Sequence, residues 1–357
     1  MVTHTQAPAV PSGASSSPAA RADGHTVADA AAPLAQVVRG GLVESVHLGH
    51  LVVLGPDGAV RLAVGDADAT IWPRSSVKPL QALAMLDHGL DLPDSLLALV
   101  AASHNGEPFH RAGVREILHR AGLTPHDLGN TPDMPLHAPS AFAWQVADHI
   151  EEGDGPGPAP IAQNCSGKHA GMLATCVAAG WPREGYLDVD HPLQVAIRER
   201  IAQLTGVTPG DATVDGCGAP LFSTTLSGLA RAFGRIAGAP DGPEGRVARA
   251  MNAHPEMVGG EGREATLAMR AVPGLVAKDG ADGVYGAGLP DGSAVAFKVL
   301  DGGSRPRPAI LVAALRAAGV AAVPGVDLTA LDAVGETPIL GGGHPVGRVE
   351  VAFSEAR

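Results

Sequence analysis

Arg74-Ser75-Ser76-Val77-Lys78-Pro79-Leu80-Gln81 is the stretch around which the rest of the chain arranges itself. It opens an apolar run, Leu80, Leu83, Met85 and Leu86, whose spacing predicts a helix starting near Ser75. Ser75 is the expected cap of that helix, and Pro79 falls in its first turn, where a missing N–H costs little. Residues three apart share a helix face, so Ser75 and Lys78 are expected together while Ser76 points elsewhere. A neutral lysine beside a serine takes the hydroxyl proton and leaves a nucleophile. Ser-x-x-Lys is common by chance and in surface caps, so its weight depends on the remaining chain.

With 357 residues the chain is long enough for a sizeable core, as one large domain or two lobes. A formal charge of −12 argues against nucleic acid or an anionic membrane as partner, and 3% aromatic residues leave few stacking platforms. Three cysteines, Cys165, Cys176 and Cys217, are too sparse for a disulfide framework and fit a reducing, cytoplasmic interior. The longest apolar run, Ile310 to Val323, is broken by Arg316 and falls short of the roughly 18 residues of a membrane helix. Residues 1–34, rich in Ala, Ser and Pro, read as a disordered leader and not a signal peptide.

From residue 35 the chain reads as one domain. Short β-like runs, Ala35–Val38, His50–Leu54 and Ala59–Leu62, precede the Ser75 helix, the last two joined by the turn Gly55-Pro56-Asp57-Gly58. Residues 80–150 are mostly helical by period, and Gly153-Asp154-Gly155-Pro156-Gly157-Pro158 is a surface loop at a seam between lobes. Further helices are expected at Lys168–Val177, Leu193–Thr205, Thr224–Gly238, Arg246–Ala253 and Arg307–Gly319. Strands return at Gly274–Lys278 and Ala294–Val299, with Gly286–Gly292 as a hairpin turn between them, and at Val346–Phe353. Strands at both ends with helices between them define an α+β fold. Residues 35–80 and 270–357 form an antiparallel sheet flanked by helices, into which an all-helical lobe, 81–269, is inserted.

Two motifs follow Ser75 in order: Ser103-His104-Asn105 after an apolar helix, and Lys278-Asp279-Gly280 at a strand end. Serine β-lactamases and penicillin-binding proteins carry S-x-x-K, S-D-N and K-T-G in the same order; here the middle residue of the last two motifs differs. Proton traffic explains a pair of Ser–Lys units. A lysine has a pKa near ~10.4, and a base working at neutral pH needs it lowered by roughly 3 units, about 4 kcal/mol. Burial and a second ammonium push in that direction, so Lys78 and Lys278 meeting at one cleft depress each other. As solvated surface lysines they would do nothing of the kind.

Asn164-Cys165-Ser166-Gly167-Lys168-His169 and Asp215-Gly216-Cys217-Gly218 combine a cysteine with glycine-rich backbone, as where main chain approaches a ligand. Cys165 and Cys217, completed by His169 or another donor, suit zinc; the plainer alternative is two buried small hydrophobes. Cys176 reads as core. His254–Arg263 is a polar, glycine-containing stretch that covers a pocket or makes a structural turn.

Arg74–Pro79, Ala102-Ser103-His104, Asn164–His169, Asp215-Gly216-Cys217, His254–Val258 and Lys278 together resemble the class 3, rhizobial-type (thermolabile) L-asparaginases, from about Ala35 to the C-terminus. The resemblance implies a serine β-lactamase/glutaminase-like fold, a homodimer and hydrolysis of L-asparagine to L-aspartate and ammonia. It also implies two tandems, Ser75 with Lys78 and Ser103 with Lys278, and zinc on Cys165, Lys168 and Cys217 with water as fourth ligand. A ligating lysine is neutral, so Lys168 joins the depressed lysines. Asp215, beside Gly216, holds the substrate's α-amino group, while Arg74 and His169 line the site. The long leader, Gly218-Ala219 after Cys217 and Asn105-Gly106 after His104 depart from the pattern and bear on substrate fit.

The expected reaction is amide hydrolysis through an acyl-enzyme. Ser75 attacks, Lys78 accepts its proton, and ammonia leaves with a proton delivered through Ser103 and Lys278, though either serine has a lysine at hand. A glutaminase, a β-lactam-type acyl hydrolase and a non-catalytic amino-acid- or zinc-binding protein are the alternatives. Glutamine is separated from asparagine by one methylene, a discrimination of about 1–3 kcal/mol.

Overall fold

The computed structural model describes residues 27–146 and 155–354. Three strands open it: β1 (Ala32–Arg39), β2 (Leu42–Leu54) and β3 (Val60–Val64), the last two joined by the expected Gly55–Gly58 turn. Strand β4 (Thr70–Ile71) leads to a 3-10 turn over Arg74–Val77 and then to α1 (Lys78–Asp87). Helices α2 (Asp94–Val100), α3 (Pro108–Arg120), α4 (Ala138–Val146), α5 (Ser166–Ala179) and α6 (Pro192–Thr205) follow. Short strands β5 (Ala212–Val214), β6 (Pro220–Phe222) and β7 (Thr224–Thr225) precede helices α7 (Leu226–Ala237), α8 (Gly242–Ala253), α9 (Pro255–Val258) and α10 (Glu264–Ala271). The chain closes with β8 (Val276–Asp279), β9 (Val284–Gly288), β10 (Ala294–Val299), α11 (Arg307–Ala317), α12 (Leu328–Gly335), β11 (Pro338–Gly341) and β12 (His344–Val351).

The α+β architecture is the expected one. One antiparallel sheet runs β11-β12-β1-β2-β10-β9-β8, with β3 also paired to β2, so the two ends of the chain meet in it. Helices occupy most of the intervening segment, which also carries the β5–β6 hairpin and β7, paired with β4. Helix α7 lies across β2, β9 and β10. It is set by Thr225, whose hydroxyl caps its first turn by accepting from Gly228 N. The opposite sheet face is buried too, with Tyr285 stacked on Phe297.

Three expectations are corrected. First, α1 starts in two steps: Ser75 lies inside the 3-10 turn and makes no capping bond, and Pro79 is in the first turn of α1. Second, Gly286 and Gly288 belong to strand β9, not to a turn. A Cβ on Gly286 would sit 2.3 Å from the Phe233 ring, and one on Gly288 2.3 Å from the Phe233 carbonyl. The glycines let α7 lie flat on the sheet, and the turn itself is Pro290-Asp291-Gly292. Third, strand β1 begins at Ala32, inside the stretch read as leader, and Val27 O is bound by the His50 ring at 2.6 Å. Residues 1–26 of that leader, and Gly153 and Asp154 of the loop at the seam, lie outside the described residues.

Candidate active site

The site forms where α1, the segment after α2, the start of α5 and the end of β8 meet. Ser103 N donates to Val258 O at 3.0 Å and Asn105 N to Gly259 O at 2.8 Å, while His104 N donates to Asn164 O at 3.2 Å. The polar stretch after α8 is therefore a frame that fixes Ser103. His104 and His110 stack at 4.8 Å and are fully bonded as neutral rings, His104 to Ser166 Oγ and Gly106 N. Burial holds His104 well below the ordinary histidine value and His110 at about 4.

Lys78 is buried and directs its ammonium at Ala102 O (2.5 Å), Ser103 Oγ (3.0 Å) and Cys165 Sγ (3.2 Å). Three bonds use all three donors of an ammonium group. Lys278 is buried as well; it pairs with Gly286, whose face meets α7, so its side chain enters the helical side. Its ammonium donates to Asp279 O and Asp279 Oδ1, both at 2.7 Å. Burial lowers Lys278, Asp279 opposes this, Lys78 adds to it, and the value settles at about 8. The lysines thus lie close enough to sense each other, but the partners differ from the expected tandems. Lys78 meets Ser103 rather than Ser75, and Lys278 meets Asp279 rather than Ser103. Among the described residues no hydrogen bond involves the Ser75 hydroxyl. Ser76 Oγ, by contrast, turns back to Pro73 O at 2.6 Å.

Ser75 and Ser103 nonetheless line one cavity of about 350 Å³, with Leu136, Asn164, Arg263, Asp279 and Arg307. The last four polar residues were not read from the sequence as lining the site. Asn164 and Arg263 sit inside motifs already singled out, and Asp279 adjoins Lys278; Arg307 gave no signal beyond a helix start.

Beside this cavity Cys165 and Cys217 come together, both buried and free. Lys168 Nζ is 3.1 Å from Cys217 Sγ. Hydrogen bonding from Cys165, with Lys168 close by, holds the Cys217 thiol far below its ordinary value against its burial, and Cys165 is pushed up correspondingly. Lys168 is therefore not depressed as expected: burial pulls it down, yet the Cys217 and Cys165 sulfurs outweigh that and hold it protonated. His169 Nδ1 bonds Tyr186 OH at 2.8 Å, and burial lowers the ring to about 4. Cys217 opposes that lowering from beside the ring. Among the described residues no three His, Cys, Asp or Glu side chains are arranged to hold a metal, so a site here needs the lysine amine. The sulfurs of Cys165 and Cys217 with the amine of Lys168, once neutral, are a donor set that suits zinc.

Arg74 and Asp282 are the two non-glycine described residues with left-handed backbone, φ +51° and +54°, and they form an ion pair. Arg74 Nε also holds Asp215 Oδ1 at 2.7 Å, with exposed Gly216 next in the chain. Asp215, expected at the substrate's amino group, is thus paired with Arg74, expected to line the site. They do not line the serine cavity; Arg74 and Asp282 border a neighbouring one with Trp72 and Lys298.

A buried lysine on the hydroxyl of Ser103, a serine that lines the cavity, gives the site the make-up of a hydrolase. The chain belongs to the L-asparaginase II family, whose model matches residues 35–351. No curated protein matches it. Among solved structures it is similar to a candidate beta-lactamase from Bacteroides dorei DSM 17855 (18% identity, 70% of this chain and 84% of that one, TM-score 0.38). It is also similar to a beta-lactamase from Mycobacterium bovis (14%, 75% and 94%, TM-score 0.35). A third is EstCE1, a hydrolase with promiscuous acyltransferase activity (13%, 85% and 93%, TM-score 0.34). At such scores the family match, and not these neighbours, carries the assignment. No described helix is long and apolar enough to cross a membrane.

Proposed function

We propose that the chain is an L-asparaginase of the class 3 type, hydrolysing the side-chain amide of L-asparagine to L-aspartate and ammonia through an acyl-enzyme. The observation that carries this reading is the 3.0 Å contact between buried Lys78 and Ser103 in an L-asparaginase II family chain. Lys78, in its neutral form, takes the Ser103 proton as the oxygen attacks the amide carbon. The C–N bond breaks, the nitrogen leaves as ammonia with a proton from the lysine network, and water then cleaves the ester to release aspartate. Ser75, across the same cavity with its hydroxyl free, bonds the substrate or the incoming water.

Zinc on Cys165, Lys168 and Cys217 would supply a fixed positive charge beside the cavity, and loading it displaces the Lys168 proton. Asp215, released from Arg74, accepts the α-ammonium group, with His169 and Gly216 alongside. The likeness also implies a homodimer, and the sparse cysteines fit the cytoplasm; light scattering and fractionation check the two.

Ammonia release tests the reading. L-asparagine is expected to be turned over faster than L-glutamine or a β-lactam, with Ser103→Ala and Lys78→Ala each reduced at least ~10³-fold. Dialysis against a chelator is expected to remove zinc and lower the rate. Absence of ammonia from L-asparagine, or a faster β-lactam reaction, rejects the assignment.

A further inference from the structure

The reaction as derived leaves two arginines of the serine cavity without a task. Arg263 and Arg307 line it with Ser75, Ser103, Asn164 and Asp279, and their side chains are 18% and 12% exposed. Both are braced from behind. Glu264 lies 2.6 Å from Arg307 Nη2 and 4.0 Å from Arg263 Nε; Asp279 lies 2.7 Å from Arg263 Nη2 and 3.7 Å from Arg307 Nη1. Asp279 is also the partner of Lys278, so one carboxylate serves three cations.

The two carboxylates therefore do not balance the positive charge gathered here. Arg263, Arg307 and Lys278 stand against Asp279 and Glu264 in surroundings from which water is largely excluded. A buried surplus of one sign is costly unless something pairs with it. The guanidinium donors are also not all used. Arg307 Nε is buried without a partner, and Arg263 Nη1 reaches Asn105 Oδ1 only at 3.5 Å, although each guanidinium carries five N–H groups. Arg307 Nη1 spends one bond on Gly280 O at 3.3 Å. Rigid, under-used guanidinium groups beside two reactive hydroxyls match a planar carboxylate.

We infer that Arg263 and Arg307 form the subsite for the substrate's α-carboxylate, so that the site selects amides carrying a free carboxylate. The inference rests on the asparaginase reading and adds to it which end of the substrate sets specificity.

The test compares L-asparagine with 3-aminopropanamide, the same amide lacking its α-carboxylate, so that ammonia reports one bond in both. Wild-type enzyme is expected to favour asparagine by at least ~10³-fold in kcat/KM. Arg307→Gln and Arg263→Gln should lose ~100-fold or more on asparagine and less than about threefold on the truncated amide, with Arg307→Lys between wild type and Gln. Equal losses on both amides, or a wild type indifferent to the carboxylate, overturn the inference while leaving the asparaginase reading intact. Should neither amide release ammonia, that reading fails and calorimetric titration with L-aspartate decides this one. Binding to wild type that is abolished in Arg307→Gln supports it; no binding, or binding unchanged by the substitution, overturns it. The wild-type comparison and the titration need no variant that folds poorly.

Discussion

Lys278 carries the sharpest consequence at the scale of single residues. Its value of about 8 reflects burial and Lys78, opposed by Asp279, and lies below the ordinary 10.5. Its share of stability is therefore fully present above about 10.5 and is lost as pH falls through about 8, because the unfolded chain binds the proton more readily in that window. For catalysis the proposed role is proton delivery to the leaving nitrogen, which needs the charged form. We expect kcat to fall as pH rises past about 8 and that limb to move out of range in Lys278→Arg, whose guanidinium stays charged. An unchanged limb in the variant rejects the role. The site residues were legible as motifs: Ser75, Lys78, Ser103, Lys278, Cys165, Lys168 and Cys217 all stand in recognisable spacing. Which hydroxyl each lysine meets was not. Sequence spacing put Lys78 with Ser75, whereas the 3-10 turn before α1 leaves Lys78 free to reach across to Ser103.

Elements are positioned by what their small residues permit. Gly167 and Gly171 share a face of α5 and let it touch α2; a Cβ at Gly167 would stand 2.4 Å from Leu99 O, a backbone atom that cannot swing aside. Gly167→Ala is expected to destabilise by about 1–3 kcal/mol in urea denaturation and to lower activity further, since it pushes Cys165 and Lys168 away from Ser103. Val177→Ala, exposed on the same helix, should stay within about 0.5 kcal/mol. Equal effects of the two substitutions contradict this packing. The same principle explains what sequence patterning missed. Strand β10 was readable to the residue because Ala294–Val299 is a short, nearly continuous apolar run after the Asp291-Gly292 turn, while β9 was hidden by glycines whose purpose lies in α7, some 50 positions earlier in the chain.

At the scale of the molecule, β1 and β12 pair in register, Val37 against Val349, so the helical segment is tied to one sheet at both ends. Lys78, Ser103, Cys165 and Lys278 come from four distant parts of the chain and are brought together only when sheet and helices dock. One cooperative unfolding transition is expected for tryptophan fluorescence and circular dichroism alike; two separated transitions contradict a single domain. The charge surplus around the cavity could not be seen in a net charge of −12, because acidic residues elsewhere on the chain mask it. The central claim is that the hydroxyl held by Lys78 forms the bond to the substrate. Rapid acid quenching of enzyme mixed with L-asparagine, followed by peptide mass mapping of the aspartyl ester, tests it most directly. The account predicts the ester on Ser103; an ester on Ser75 contradicts it.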